Sequence, residues 1–209
     1  MHPKELSQKA DSISQGLNFK ERFLMKWRPW ICPFHILMEH VPQGSSVLDI
    51  GCGNGLWLFL LWRLGRISEG IGIEINQAKI DAANSLKKNE DKLEFTSFEP
   101  KDKWRQRSYQ CVTMIDVLHH VRKDKQKDFI SQIAQSNSKR IIFKEIDTRP
   151  RIKNFMNTLH DLLLSREFPK YYQKDQVVRW LEEFGYRISY TGKYDMLWYS
   201  HYIIVADKE

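Results

Sequence analysis

The chain of 209 residues predicts an α/β fold built on a doubly wound parallel sheet, and three observations carry that prediction. Strand-length apolar runs alternate with helical patterns from Ser46 to about Asp147. The first run opens the segment VLDIGCGNG, residues 47–55, in which an apolar strand breaks into a loop with glycine at every second position. After Gly185, two further strand-like runs follow each other too closely for a crossover helix, so they should pair antiparallel as an edge hairpin.

The elements follow in order. Strands are expected at residues 47–50, 68–75, 93–97, 111–115 and 140–146, with helices between them at 56–66, 77–89 and 123–136. Asn76 suits the N-cap of the second of these helices. Ahead of the sheet, the aromatic and basic residues 19–40 predict one or two helices over the sheet edge, broken by Pro29 and Pro33. Beyond the fifth strand, Ile152, Phe155, Met156, Leu159, Leu162 and Leu163 recur at helical spacing and predict an amphipathic insertion. A helix over 174–184 should stop at Gly185, and the hairpin strands are expected at 186–190 and 198–205. The whole chain, 1–209, reads as one domain. An N-terminal helical lid (1–44) precedes a core (45–147), and an acceptor-side insertion, helix and hairpin (148–209) close it.

Composition narrows the function classes. Cys32, Cys52 and Cys111 are odd in number and scattered, which points away from a disulfide framework and from a structural zinc site. The N-terminus lacks the apolar core of a signal peptide, and the apolar run 56–62 is too short to span a bilayer. A reducing, cytoplasmic setting is the expectation. The net charge of +7 admits nucleic acid, an anionic membrane surface or a basic soluble enzyme, but basic residues are spread along the chain and interleaved with acids.

The glycine loop carries the chemistry. A dinucleotide fingerprint, G-x-G-x-x-G/A, would place its third small residue at Leu56, which does not fit. Here the third glycine comes one residue early, and Asp49 precedes the first. That arrangement resembles the first motif of class I S-adenosylmethionine-dependent methyltransferases, whose loop passes under a methionine and ribose instead of cradling phosphates. Glu74 ends the second strand about twenty residues on, where a carboxylate can accept ribose hydroxyls. The segment 109–121, YQCVTMIDVLHHV, resembles the fourth-strand motif of the small-molecule members and would set Asp116 and Val117 beside the cofactor methionine. At the third strand's end, Glu99 matches an acid near the adenine amine, with Phe98 as a stacking neighbour. The resemblance covers residues 45–147, about half the chain. It implies a Rossmann-like, seven-stranded sheet into which the last hairpin inserts an antiparallel strand. The cofactor would be S-adenosylmethionine, bound by Asp49, Gly51, Cys52, Gly53, Gly55, Glu74, Ile75, Phe98, Glu99, Asp116 and Val117.

The acceptor is less sharply drawn. Amino-methylating nucleic-acid enzymes place Asn/Asp-Pro-Pro-aromatic at the fourth strand's end, and AspValLeuHisHis has neither proline nor that aromatic. Cytosine-carbon methylation needs a cysteine at that strand's end, whereas Cys111 begins it. Both absences argue against a nucleic-acid partner. The N-terminal aromatics and the apolar helix expected at 152–164, which would both roof the acceptor side, point to a small, apolar or lipid-like acceptor. The alternatives are an RNA-directed methyltransferase and a protein that keeps the fold without catalysis. For a hydroxyl acceptor, His119, His120 or His160 would remove the proton. The adjacent His119 and His120 would point about 100° apart on a helix, so no shared metal is expected. Glu145, Asp147 and Asp161 are the remaining polar candidates, read as ordinary strand-end and helix-surface acids. The stretch 20–34 could lid the acceptor pocket, pack into the core, or lie on a membrane with Trp27, Trp30 and Phe34 in the interface.

Overall fold

Residues 1–97, 107–136, 138–147 and 174–208 are described by a computed structural model. The order of elements is α1 (Pro3–Ile13), α2 (Phe19–Ile31), α3 (Phe34–His40), β1 (Ser45–Ile50), α4 (Leu56–Arg63), β2 (Ile67–Glu74), α5 (Gln77–Ser85) and β3 (Leu93–Ser97). It continues with β4 (Cys111–Ile115), α6 (Gln126–Ala134), β5 (Arg140–Ile146), α7 (Lys174–Glu183), β6 (Tyr186–Met196) and β7 (Tyr199–Lys208).

The seven strands form one sheet in the order β3-β2-β1-β4-β5-β7-β6. The first five are parallel, and β7 runs antiparallel between β5 and β6. The chain leaves β1 toward β2 on one side and returns beside it as β4 on the other. That reversal opens a crevice at the carboxyl ends of β1 and β4, the place where open α/β sheets bind ligands. Alternate residues feed the two faces. Val47, Cys111, Ile142 and Ile203 pack with the N-terminal helices and α4, while Leu48, Val112, Phe143 and Tyr202 pack with α6 and α7.

Several elements differ from expectation for identifiable reasons. Helix α1 lies in the expected helical lid and packs Leu6, Ala10 and Ile13, spaced by four and three residues, onto the core. Its start is set by caps: His2 Nδ1 accepts from Lys4 N at 3.2 Å, Glu5 accepts from His2 N at 3.1 Å, and Pro3 starts the helix. Pro29 does not break α2; its ring is buried in the last turn, and the chain turns at Pro33 instead. The helix expected at 123–136 begins as a separate 3₁₀ turn, Lys123–Lys125. Both hairpin strands are longer than expected. Polar residues such as Thr191, Lys193 and Asp195 suit an edge strand whose burial alternates along its length. The expected insertion helix, with His160 and Asp161, lies outside the described residues, as do Phe98 and Glu99.

Candidate active site

The loop leaving β1 contains three residues in the left-handed region: Gly51 (φ 71°), Gly53 (φ 55°) and Gly55 (φ 77°). Only one of them faces open space. A Cβ at Gly51 would lie 2.5 Å from Val117 Cγ2, and one at Gly55 would lie 2.6 Å from the Phe95 ring. A Cβ at Gly53 would meet nothing within 4 Å. The glycines therefore divide by task, which the spacing alone did not reveal. Gly51 and Gly55 admit protein side chains, and Gly53 is the bare position. Cys52 is buried, with its Sγ 2.7 Å from where a Gly72 Cβ would stand, so it wedges the loop against β2.

Glu74 holds this loop in place. Its Oε2 accepts from Gly53 N at 3.0 Å, and its Oε1 accepts from Ile75 N at 2.8 Å and Asn76 N at 3.1 Å. The next residue, Ile75, is 83% exposed, an apolar side chain standing in solvent beside the carboxylate. Asp49 points elsewhere. It is buried beneath the loop and accepts from Thr113 Oγ1 at 2.7 Å, joining β1 to β4. Burial raises its pKa to about 7, helped by the nearby Glu74 and opposed by the Thr113 hydrogen bond.

Across the crevice, Asp116 directly follows β4 with φ 57°, a left-handed conformation uncommon outside glycine. Its N–H donates to Lys144 O at 2.9 Å, its Oδ1 meets Lys144 Nζ at 2.5 Å, and its Oδ2 meets Arg28 Nη2 at 2.6 Å. Burial pushes this carboxyl up, but Lys144 and Arg28 outweigh it and hold Asp116 well below the usual carboxylate range. Arg28 comes from α2, so this ion pair ties the N-terminal helices to the sheet. Neither Arg28 nor Lys144 was picked out from sequence. The signal for Lys144 was available: a lysine inside the buried strand RIIFKEI requires an acid partner.

Of the candidate histidines, His119 is buried and His120 is exposed. They sit on a 3₁₀ turn, Leu118–His120, with ring centroids 4.1 Å apart, closer than a helical reading suggested. Only His119 is seen against Glu145. Its Nδ1 lies 2.8 Å from Glu145 Oε1, and its backbone N–H donates to Oε2 at 3.1 Å. Glu145 is therefore no ordinary strand-end acid. Asp147 lies 2.6 Å from Lys193 of β6.

A family profile described as a methyltransferase domain matches residues 28–190, from the end of α2 into β6. The chain belongs to the class I S-adenosylmethionine-dependent methyltransferases. Over 154 residues this methyltransferase is 27% identical to the mitochondrial ubiquinone biosynthesis O-methyltransferase of Candida albicans. The match takes in 66% of this chain and 45% of that one, so the chain spans less than half of that relative. In fold it resembles magnesium protoporphyrin IX methyltransferase from Synechocystis PCC 6803 with bound SAH (TM-score 0.69, 17% identity, 97% and 94% of the two chains). A Pyrococcus horikoshii OT3 protein is also similar, with TM-score 0.66, 17% identity and 99% of both chains covered. The cofactor of the family is S-adenosylmethionine. Among the described residues of this methyltransferase, no helix is long and apolar enough to cross a membrane.

Proposed function

We propose that this chain transfers the methyl group of S-adenosylmethionine to a small, apolar or lipid-like acceptor. The observation that carries the donor site is the bare Gly53 position bonded to the Glu74 carboxylate at the crevice between β1 and β4. These residues suit the cofactor. An ionised carboxylate offers about four acceptor sites, and backbone N–H groups use three of those on Glu74, leaving one for a ribose hydroxyl. Ile75 would cover the base, and Gly53 would run beneath the methionine. Phe98 and Glu99 keep the adenine-side roles that the resemblance implies, and Asp116 and Val117 keep the methionine side. In this reading, residues 1–44 lid the core 45–147, and residues 148–209 complete the acceptor side.

When bound, S-adenosylmethionine supplies a methyl already activated on a sulfonium, so no protein nucleophile is required. The chain's own residues align the acceptor, exclude water and hold a proton. For a hydroxyl acceptor, His119 is the base. Glu145 lies 2.8 Å from its Nδ1 and orients the imidazole for that role. The apolar acceptor is supported by the exposed aromatics of α2 beside the Arg28–Asp116 pair, and by the names of two relatives, for ubiquinone biosynthesis and for magnesium protoporphyrin IX. A labelled-methyl transfer assay against fractionated lipid, small-molecule and RNA extracts tests the proposal. Label in the organic-soluble fraction is expected; label in RNA, or in no fraction, contradicts it.

A further inference from the structure

Helix α2 presents an uncovered aromatic stripe. Phe19 is 86% exposed, Phe23 54%, Leu24 41% and Trp27 40%, whereas Met25 and Pro29 on the opposite side are buried. Steps of four residues align Phe19, Phe23 and Trp27 along one side of the helix. Their rings stack in series, with centroids 6.5 Å and 6.3 Å apart. Trp30 and Phe34, two of the three residues expected at such a surface, are placed differently. Trp30 packs edge-on to His2, and Phe34 is buried against Trp57. A contiguous exposed apolar stripe of this kind marks an interaction surface.

The charges around the stripe select its occupant. Helix α2, FKERFLMKWRPWI, carries Lys20, Arg22, Lys26 and Arg28 against the single acid Glu21. Lys20 projects within the apolar face and makes no ion pair among the described residues, while Lys26 and Arg22 reach Asp11 at 3.6 Å and 2.9 Å. A two-fold contact between copies would set this basic helix against itself, which its charge opposes. An anionic bilayer accepts both features at once: aromatic rings enter the headgroup boundary and lysine reaches the lipid phosphates. A second apolar point lies at the same end of the sheet. Leu197 and Trp198 form the exposed tip between β6 and β7, next to the pairing of Asp147 N with Ser200 O at 2.8 Å.

We infer that the α2 stripe docks this methyltransferase on an anionic membrane surface, with the mouth of its crevice facing the lipid. The placement follows from Arg28, whose ion pair fixes the last turn of α2 to Asp116 at the end of β4. A lipid-like acceptor could then reach the crevice from the bilayer without crossing water. The role assigned to the surface rests on the lipid-like acceptor reading; the binding itself is measured separately.

The test is sedimentation of the full chain with phosphatidylcholine vesicles, made with and without phosphatidylglycerol. Binding is expected only with phosphatidylglycerol, weakening as salt rises. The combined substitution Phe19→Ser, Phe23→Ser and Trp27→Ser should reduce it by at least about tenfold, with calorimetric affinity for S-adenosylmethionine unchanged. Should that variant fail to fold, Lys20→Glu supplies the second test, weakening binding at low salt only. Equal binding by these variants, or none by the parent chain, overturns the inference. So does a dimer in sedimentation velocity that the triple variant dissolves, or single-stranded RNA displacing the vesicles. Vesicle binding combined with methyl label in a water-soluble product would remove the acceptor reading and leave the docking surface standing.

Discussion

The two sides of the crevice are built from different materials. On the donor side, Gly51, Gly53 and Gly55 supply left-handed main-chain conformations and the Glu74 carboxylate accepts from main-chain N–H groups, and these four residues lie within about 25 residues of sequence. On the other side, Arg28, Asp116, Lys144, His119 and Glu145 meet through side chains contributed by α2, β4, β5 and the turn after β4. A backbone cradle depends on glycine, and glycine leaves a plain mark in a sequence. A side-chain network depends on which distant residues the fold brings together. In the proposed reading the glycine loop and Glu74 suit a fixed ligand, whereas His119 and Glu145 can change with the acceptor while the sheet stays the same.

Substitutions can break that contrast, and the largest effect belongs to the side-chain network. Lys144→Met leaves Asp116 buried with only the partly exposed Arg28, and should destabilise the fold by about 3–5 kcal/mol in urea unfolding. A loss under about 1 kcal/mol would mean that solvent already compensates Asp116. Next comes the packed glycine. Gly55→Ala drives a methyl into the Phe95 ring at positive φ and should cost about 2–4 kcal/mol. Gly53→Ala incurs the backbone strain alone, about 1 kcal/mol. Equal losses at the two positions would erase the division of labour within the loop.

The buried Asp49 gives a pH-dependent effect of about 4 kcal/mol. Its pKa in the fold, about 7, lies above the ordinary aspartate value of 3.8, so the folded chain holds an extra proton between those pH values. The stability this proton supports is fully present below about pH 4 and is lost as pH rises through about 7. Asp49→Asn keeps an acceptor for Thr113, so the variant should gain on the parent across that window and run parallel above it. Parallel curves throughout would show that Asp49 is ionised in the fold. The smallest effect is Glu74→Ala, expected to weaken S-adenosylmethionine binding several-fold in calorimetry, about 1 kcal/mol. Unchanged affinity would release Glu74 from the donor site.

The same contrast explains what could be read beforehand. β3, β4 and β5 begin and end where the sequence predicts because each is an apolar run bounded by polar or turn residues. The insertion of β7 between β5 and β6 came from family resemblance, because nothing local states which neighbour a hairpin chooses. Helix α1 falls in the expected lid but is not among the elements read from sequence, because Leu6, Ala10 and Ile13 make only a short apolar period in an otherwise polar run. Asp49 was read by its place before the glycines, and only the three-dimensional register reveals Thr113 opposite it. Arg28 and Asp116 lie 88 residues apart, and no periodicity connects them. Glu145 looked like any strand-end acid until the turn after β4 brought His119 against it.

Gly53 is where the donor reading is most exposed to refutation. Its Cβ direction is open and its N–H is bonded to Glu74, so Gly53→Leu should fill the donor space while leaving the sheet intact. Titration calorimetry with S-adenosylmethionine, run beside a thermal melt, reads both properties. A melt close to that of the parent chain with no measurable binding is the predicted result. Parental affinity in the folded Leu variant would contradict the assignment of the loop to the donor.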